Sequence, residues 1–360
     1  MTRQYVAPPN RKRFGWIRPE DRTSSQTEAH EQCKSELIRT FGASGLSGQP
    51  VNKGDRYPLW KVFEALPGKK APYVNQTTGS CVGAGGYNAL MTLMMVEIVT
   101  KKEPEKWNLL WWPFTYEVSR SLAGFHSKGE GSLGTTWFKA IKDFGMPRAD
   151  YPGLPKYQQR NGWLYLDESI ELKWSYNPEL RDEWDEEAME HPIEGGLEVR
   201  SIEELDAALT SGYPCTIASG IWGTRSSEDL DGWMVAKWND RWSHQQYIDE
   251  VVYPSSKTGK LYRIGNNWNE TAHPRPTMGE PAGGYYVREK HMAKILEDKD
   301  CECFMLSDFT GIKEEPRDIW DTILNSLLEE IFSSPNRTLP DLPQIDDLSP
   351  LEKGTDHEDP

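Results

Sequence analysis

The sequence predicts an α+β fold, on three observations. Helix-type apolar spacing dominates the first half of the chain and strand-type runs dominate the second, an order that argues against a wound parallel sheet. The chain has 360 residues, enough for a sizeable hydrophobic core. Fifteen tryptophans and an aromatic share of 11% supply large side chains to fill it.

Residues 1–56 are rich in Arg, Pro, Ser, Gly and Gln with little periodicity, and read as an irregular arm with one short helix around Glu28–Phe41. Residues 57–311 form the compact domain. Within it, Gly79–Lys101 reads as a buried helix, with small residues first and then Leu90, Leu93, Met94 and Ile98 at helical spacing. Trp112–Ala123 and Thr135–Phe144 are further helices, the second stopped by Gly145. Ser201 with Glu204 forms a capping box for a helix that Gly212 ends. Strands follow at Pro214–Ile221, Tyr247–Tyr253, Lys260–Gly265 and Gly284–Val287, with a turn at Lys257-Thr258-Gly259. Residues 312–360 hold an amphipathic helix over 318–332 and a Pro-rich tail. Seven acidic groups stand against Lys353 in residues 340–360, so an extended or disordered docking tail is expected there.

Composition excludes several functions. Lys+Arg 41 against Asp+Glu 56 gives 41 − 56 = −15, a field that repels nucleic acid. Mean hydropathy is −0.71, and the most apolar stretch, Val82–Val99, contains Gly83, Asn88 and Glu97, so no membrane span is expected. The five cysteines fit neither a disulfide framework nor a zinc pattern, and no metal or cofactor is expected. The N-terminus is basic without an apolar core, so the expected location is cytoplasmic or virion-associated.

The segment Asn75-Gln76-Thr77-Thr78-Gly79-Ser80-Cys81 carries the chemistry. It sets a cysteine at the start of a buried helix, where free N–H groups and the helix dipole favour a thiolate. A side-chain amide a few residues upstream could serve an oxyanion beside the Cys81 N–H. A thiol nucleophile needs an imidazole, and the imidazole an orienter. His244, ahead of an apolar strand, and Asn266, at the end of another, supply both.

These residues resemble the papain-like cysteine peptidases, particularly divergent bacterial and phage-encoded members. The order Cys81, His244, Asn266 matches, with separations of 163 and 22 residues. Gly79-Ser80-Cys81 is similar to the family's nucleophile segment, Asn266-Asn267-Trp268 to its asparagine segment, and Gly283-Gly284-Tyr285 to its closing strand. The resemblance covers roughly residues 57–310. It implies a helical left lobe, a β-barrel-like right lobe and a cleft between them. It further implies Cys81 as nucleophile, His244 as base and acid, Asn266 as its orienter, Trp268 as a shield over that pair, and Gly131 as a substrate-backbone contact. Gln76, or Asn75, would serve the oxyanion. The chain departs from the family at Val82, Gln245 and Asn269 and carries an insertion at His273–Pro281.

The implied activity is hydrolysis of peptide bonds in a protein or peptide substrate through a thioester. The alternative is a weak or inactive papain-like scaffold in a virion or other assembly, with residues 1–56 and 312–360 binding neighbouring subunits. A cell-wall amidase places its histidine much closer to the cysteine. Elsewhere Cys301-Glu302-Cys303 reads as one strand with both thiols on one face rather than a metal or redox pair. Cys215 reads as core, Trp222, Trp233, Trp238 and Trp242 as loop-anchoring aromatics, and His126, His191, His273 and His291 as exposed or structural.

Overall fold

The computed structural model describes residues 14–307, apart from 44, 66–70, 102–108, 126–129, 177–183, 190–191, 194 and 225. The amphipathic helix expected at 318–332, the tail, His126 and His191 lie outside the described residues. Thr23 and Gln26 cap one another reciprocally and start α1 (Ser24–Leu37) four residues before the expected Glu28. Strands β1 (Ile38–Thr40) and β2 (Arg56–Pro58) follow. Next come α2 (Cys81–Lys101), α3 (Trp112–Leu122) and α4 (Gly134–Asp143), then the hairpin β3 (Gln158–Arg160) and β4 (Trp163–Tyr165). After α5 (Glu168–Ser175), α6 (Asp185–Ala188) and β5 (Gly195–Glu198), helix α7 (Ile202–Thr210) leads into the strand-rich half. That half contains β6 (Cys215–Ser219), β7 (Ser227–Leu230), β8 (Trp233–Ala236), β9 (His244–Val252), β10 (Leu261–Gly265), β11 (Gly284–Arg288), α8 (Glu289–Glu297) and β12 (Glu302–Ser307).

The expected order of helices then strands therefore stands. At Ser201 the cap differs in detail: Ser201 Oγ accepts from Glu204 N–H at 3.2 Å, but the Glu204 carboxylate accepts from Arg200 N–H. The arm also differs. Its described residues fold onto the domain, with α1 packed on α4 and β1 paired in parallel with β5.

The large sheet runs β1-β5-β12-β6-β9-β10-β11-β8-β7, with β2 paired to β9. All nine residues of β9 are buried, because β9 has strand neighbours on both edges and α2 against its face. Helix α2 is apolar around its circumference, the pattern of a fully buried helix. It is long and apolar enough to cross a membrane, yet 89% of that stretch is buried inside the fold. Its glycines let neighbours close in: a Cβ at Gly83 would stand 2.6 Å from the Tyr116 side chain, and one at Gly86 2.3 Å from the Trp137 ring. Helices α2–α5 thus form one lobe and the sheet the other, with the start of α2 at their junction. The fold is the expected two-lobed α+β arrangement.

Candidate active site

Cys81 is the first residue of α2, and its placement depends on one carboxylate. Glu171, fully buried on α5, accepts from Thr77 N–H and Oγ1 at 2.8 and 2.6 Å, from Thr78 N–H and Oγ1 at 3.2 and 2.6 Å, and from Ser80 Oγ. A carboxylate accepting that many bonds winds the loop before the cysteine into a single shape. Tyr116 Oη donates to Gly79 C=O at 2.8 Å and accepts from Gly131 N–H at 3.1 Å, tying the loop to the opposite rim. Glu171→Ala removes the acceptor for five donors, three of them buried. It is expected to lower unfolding stability by about 3 kcal/mol, read as a shifted urea midpoint at unchanged slope. A midpoint unmoved by the substitution would mean that the loop holds its shape unaided.

His244 opens β9, and Asn266 follows β10, the strand paired with it. Their ring and amide orientations follow from the bonds around them. Asn266 Oδ1 accepts from Asn267 N–H at 2.7 Å, which fixes the amide. The same oxygen lies 2.8 Å from His244 Nε2, so Nε2 carries the proton and donates. His244 Nδ1 is then a bare lone pair, buried and without a hydrogen-bond partner. On its far side the Asn266 amide donates to His273 Nε2 at 2.8 Å. Trp268 stacks on the His244 ring at 4.6 Å and 25°, and Trp242 packs on Trp268 at 4.9 Å.

Residues 14–17 of the chain lie across this site. Gly15 N–H and Gln245 N–H both point at Cys81 Sγ, at 3.3 and 3.4 Å. Ser132 N–H donates to Gly15 C=O at 2.8 Å and Ile17 N–H to Ser132 C=O at 3.2 Å, a parallel bridge at Trp16. Phe14 covers His244, Trp268 and Trp242 with centroids at 5.8, 5.4 and 6.0 Å. The fit needs glycine: a Cβ on Gly15 would stand 1.6 Å from Gly79 O, a backbone atom.

Covering the site changes its electrostatics. Burial pushes the Cys81 thiol up to about 11, against the partial pull of the Gln245, Gly15 and Trp16 amides. Burial pushes His244 down to about 4, only partly offset by its bond to Asn266, and His273 down to about 3. The covered pair is a neutral thiol beside a neutral imidazole.

The structure brings Cys81, His244, Asn266 and Trp268 together at the junction of the lobes. Gln76 is buried there, its amide donating to Thr78 C=O at 2.8 Å and accepting from Asn267 Nδ2 at 3.4 Å. Asn75 is buried with Oδ1 unpartnered. Strand pairing with the covering segment falls on Ser132, one residue past Gly131, whose φ of +108° turns the rim. Sequence reasoning missed Glu171, Phe14 and Gly15, none of which carries a local signal. His273, read as exposed or structural, is the latter, buried against the Asn266 amide. One expectation needs correction. Trp242, read as a loop anchor, is part of the cover over His244. Trp222 and Trp238 do pack on each other and on His291, and Trp233 on Tyr286. No metal-binding cluster occurs among the described residues.

A two-lobed α+β body with a buried thiol at the N-terminus of its central helix, at the lobe junction, is the fold of the papain-like cysteine proteases. The chain is similar to xylellain, a cysteine protease from Xylella fastidiosa, at 14% identity and a TM-score of 0.51, over 84% of this chain and all of that one. It also matches digestive procathepsin L 3 of Tenebrio molitor larval midgut, at 11% identity and a TM-score of 0.42, over 77% of this chain and 78% of that one. No protein-family model matches the sequence, and no curated protein matches it.

Proposed function

We propose that this chain is a papain-like cysteine peptidase whose own N-terminal segment occupies the substrate groove in the resting form. The observation that carries the reading is the peptide already seated across Cys81, bridged to Ser132 and covering His244. A groove that holds one extended peptide over a thiol and an imidazole can hold another.

In this reading the segment leaves and water returns to the pair, which draws the two pKa values back toward their ordinary range. His244 Nδ1 takes the Cys81 proton. The sulfur attacks a peptide carbonyl, and the oxyanion is met by the Cys81 N–H with Gln76 or Asn75. The imidazolium protonates the departing amine, leaving a thioester on Cys81. Water then attacks the thioester, losing its proton to His244, and releases the acid with the thiol restored. Asn266 holds the ring throughout, and Trp268 keeps water off their bond.

The test is hydrolysis of unfolded protein by the full-length Gly15→Ala chain, with capture of Cys81 by an epoxide inhibitor of such enzymes. Cleavage and capture that both vanish in Cys81→Ser are expected. An open groove, seen as fast Cys81 alkylation, with neither cleavage nor capture would sink the reading.

A further inference from the structure

His273 is the first residue of the insertion at 273–281, and folding carries it to the back of the site, where it is 8% exposed. Its ring packs on Tyr285 at 4.5 Å, and Tyr285 Oη donates to Gln246 Oε1 at 2.9 Å. The rest of the insertion is pinned to its surroundings. Arg56 donates to Met278 C=O at 2.8 Å, Arg263 to Pro281 C=O at 2.9 Å, and Thr277 Oγ1 to Gly232 C=O. His273 therefore meets the Asn266 amide from a fixed position. Among the described residues, its Nε2 is the acceptor that the Asn266 amide nitrogen finds.

Resting on the peptidase reading, we propose that His273 is a positioning residue that sets the tautomer of His244 through the Asn266 amide. That amide is clamped at both ends. Asn267 N–H holds its oxygen at 2.7 Å and His273 Nε2 holds its nitrogen at 2.8 Å. So held, Oδ1 accepts from His244 Nε2–H, and His244 Nδ1 is left bare to take the Cys81 proton. Turned over, the amide would offer an N–H to His244 Nε2. The ring could meet it only by moving its own proton to Nδ1, and it would then no longer be a base toward the sulfur. One neutral hydrogen bond favours an orientation only about five- to tenfold, whereas two acting together favour it about thirtyfold or more. The second clamp works only while His273 Nε2 keeps its lone pair. Burial opposes a proton there first of all, followed by the neighbouring His244 and by the Arg263 guanidinium, itself paired with Asp249; Tyr285 presents an uncharged ring.

Two experiments on the full chain test this. In the intact, covered protein His244 is neutral at pH 7, so nitrogen NMR of isotope-labelled histidine reads its tautomer without any turnover. Its signals are identified by their loss in His244→Gln. A single Nε2–H tautomer is expected in the parent chain and in His273→Gln, whose amide oxygen can still accept. His273→Phe keeps a ring against Tyr285 and removes the acceptor. About a tenth or more of its molecules are expected in the Nδ1–H form, and the same holds for His273→Leu. A parent chain with the proton on Nδ1 overturns the proposal without any variant. So does a single Nε2–H tautomer in folded His273→Phe or His273→Leu.

The second experiment adds each substitution to Gly15→Ala and reads hydrolysis. A kcat lower by about fivefold or more in His273→Phe is expected, with KM within about twofold and recovery in His273→Gln. Equal losses in His273→Phe and His273→Gln would make His273 a packing residue and overturn the proposal. A tautomer that shifts as expected in a chain that cleaves nothing would support the role of His273 and remove the peptidase reading. Cleavage with an unmoved tautomer would do the reverse.

Discussion

Cys81 of the intact protein will react with iodoacetamide at pH 7 about a hundredfold or more slowly than Cys81 of the Gly15→Ala protein. A thiol held near 11 is thiolate in about one molecule in ten thousand at pH 7, whereas one near the ordinary value of about 8.5 is so in about one in thirty. Two independent effects of the covering segment act together here. It removes water from the sulfur, and it blocks the approach of the reagent. The substitution acts only on the cover: the added Cβ meets the Gly79 carbonyl, a backbone atom that cannot step aside, so residues 14–17 must lift away. Labelling in the intact protein should also keep climbing through pH 9, while the variant levels off earlier. Site-resolved mass spectrometry separates Cys81 from the other four thiols, all buried in the fold. Equal rates in the two proteins would show that the segment does not govern access to the sulfur.

The folded state will lose on the order of 5 kcal/mol of stability between pH 7 and pH 4 through two histidines. His244 and His273 are held neutral by burial, with values near 4 and 3 against about 6.5 in an unfolded chain. Between these limits the unfolded chain binds the extra protons, so the stabilisation is complete above about pH 6.5 and is lost as pH falls through the folded values. Each unit of difference is worth about 1.4 kcal/mol, and at pH 4 both groups have spent most of their range. Urea midpoints measured from pH 7.5 to 4 read the slope directly. His273→Gln should flatten it by about half, because the amide can still accept from Asn266 while carrying no titratable group. A curve without slope, or one that His273→Gln leaves as steep, would place the acid sensitivity elsewhere.

What could be read from the residues themselves shares one property: the signal was local. Small residues ahead of an apolar run marked the start of α2, Gly145 marked the end of α4, and short runs rich in apolar and aromatic residues marked β6, β9 and β10. The order of Cys81, His244 and Asn266, with a turn chemistry or strand beside each, let the three be placed at one site before any contact was seen. The described part of the N-terminal arm is the converse case. Residues 14–43 lack a strong periodicity of their own, and they are ordered by what they touch.

The groups that decide how the site behaves belong to that second kind. Gly15 reaches Cys81 across 66 positions, Glu171 gathers Ser80 across 91, and Trp16 finds Glu302 across 286. None of these residues is unusual where it stands in the chain. A glycine in a basic arm and a glutamate between two cysteines acquire meaning only when folding brings their partners within bonding distance and removes water from around them. By itself, then, the sequence determined the order of helices and strands, which is encoded in neighbours along the chain, while the two lobes and the site at their junction followed from the family resemblance. Only the tertiary structure decided that the thiol is covered and neutral, that His273 backs the asparagine, and that a buried carboxylate holds Trp16 of the covering segment. Desolvation and charge pairing act through space, and the linear order of residues does not record them.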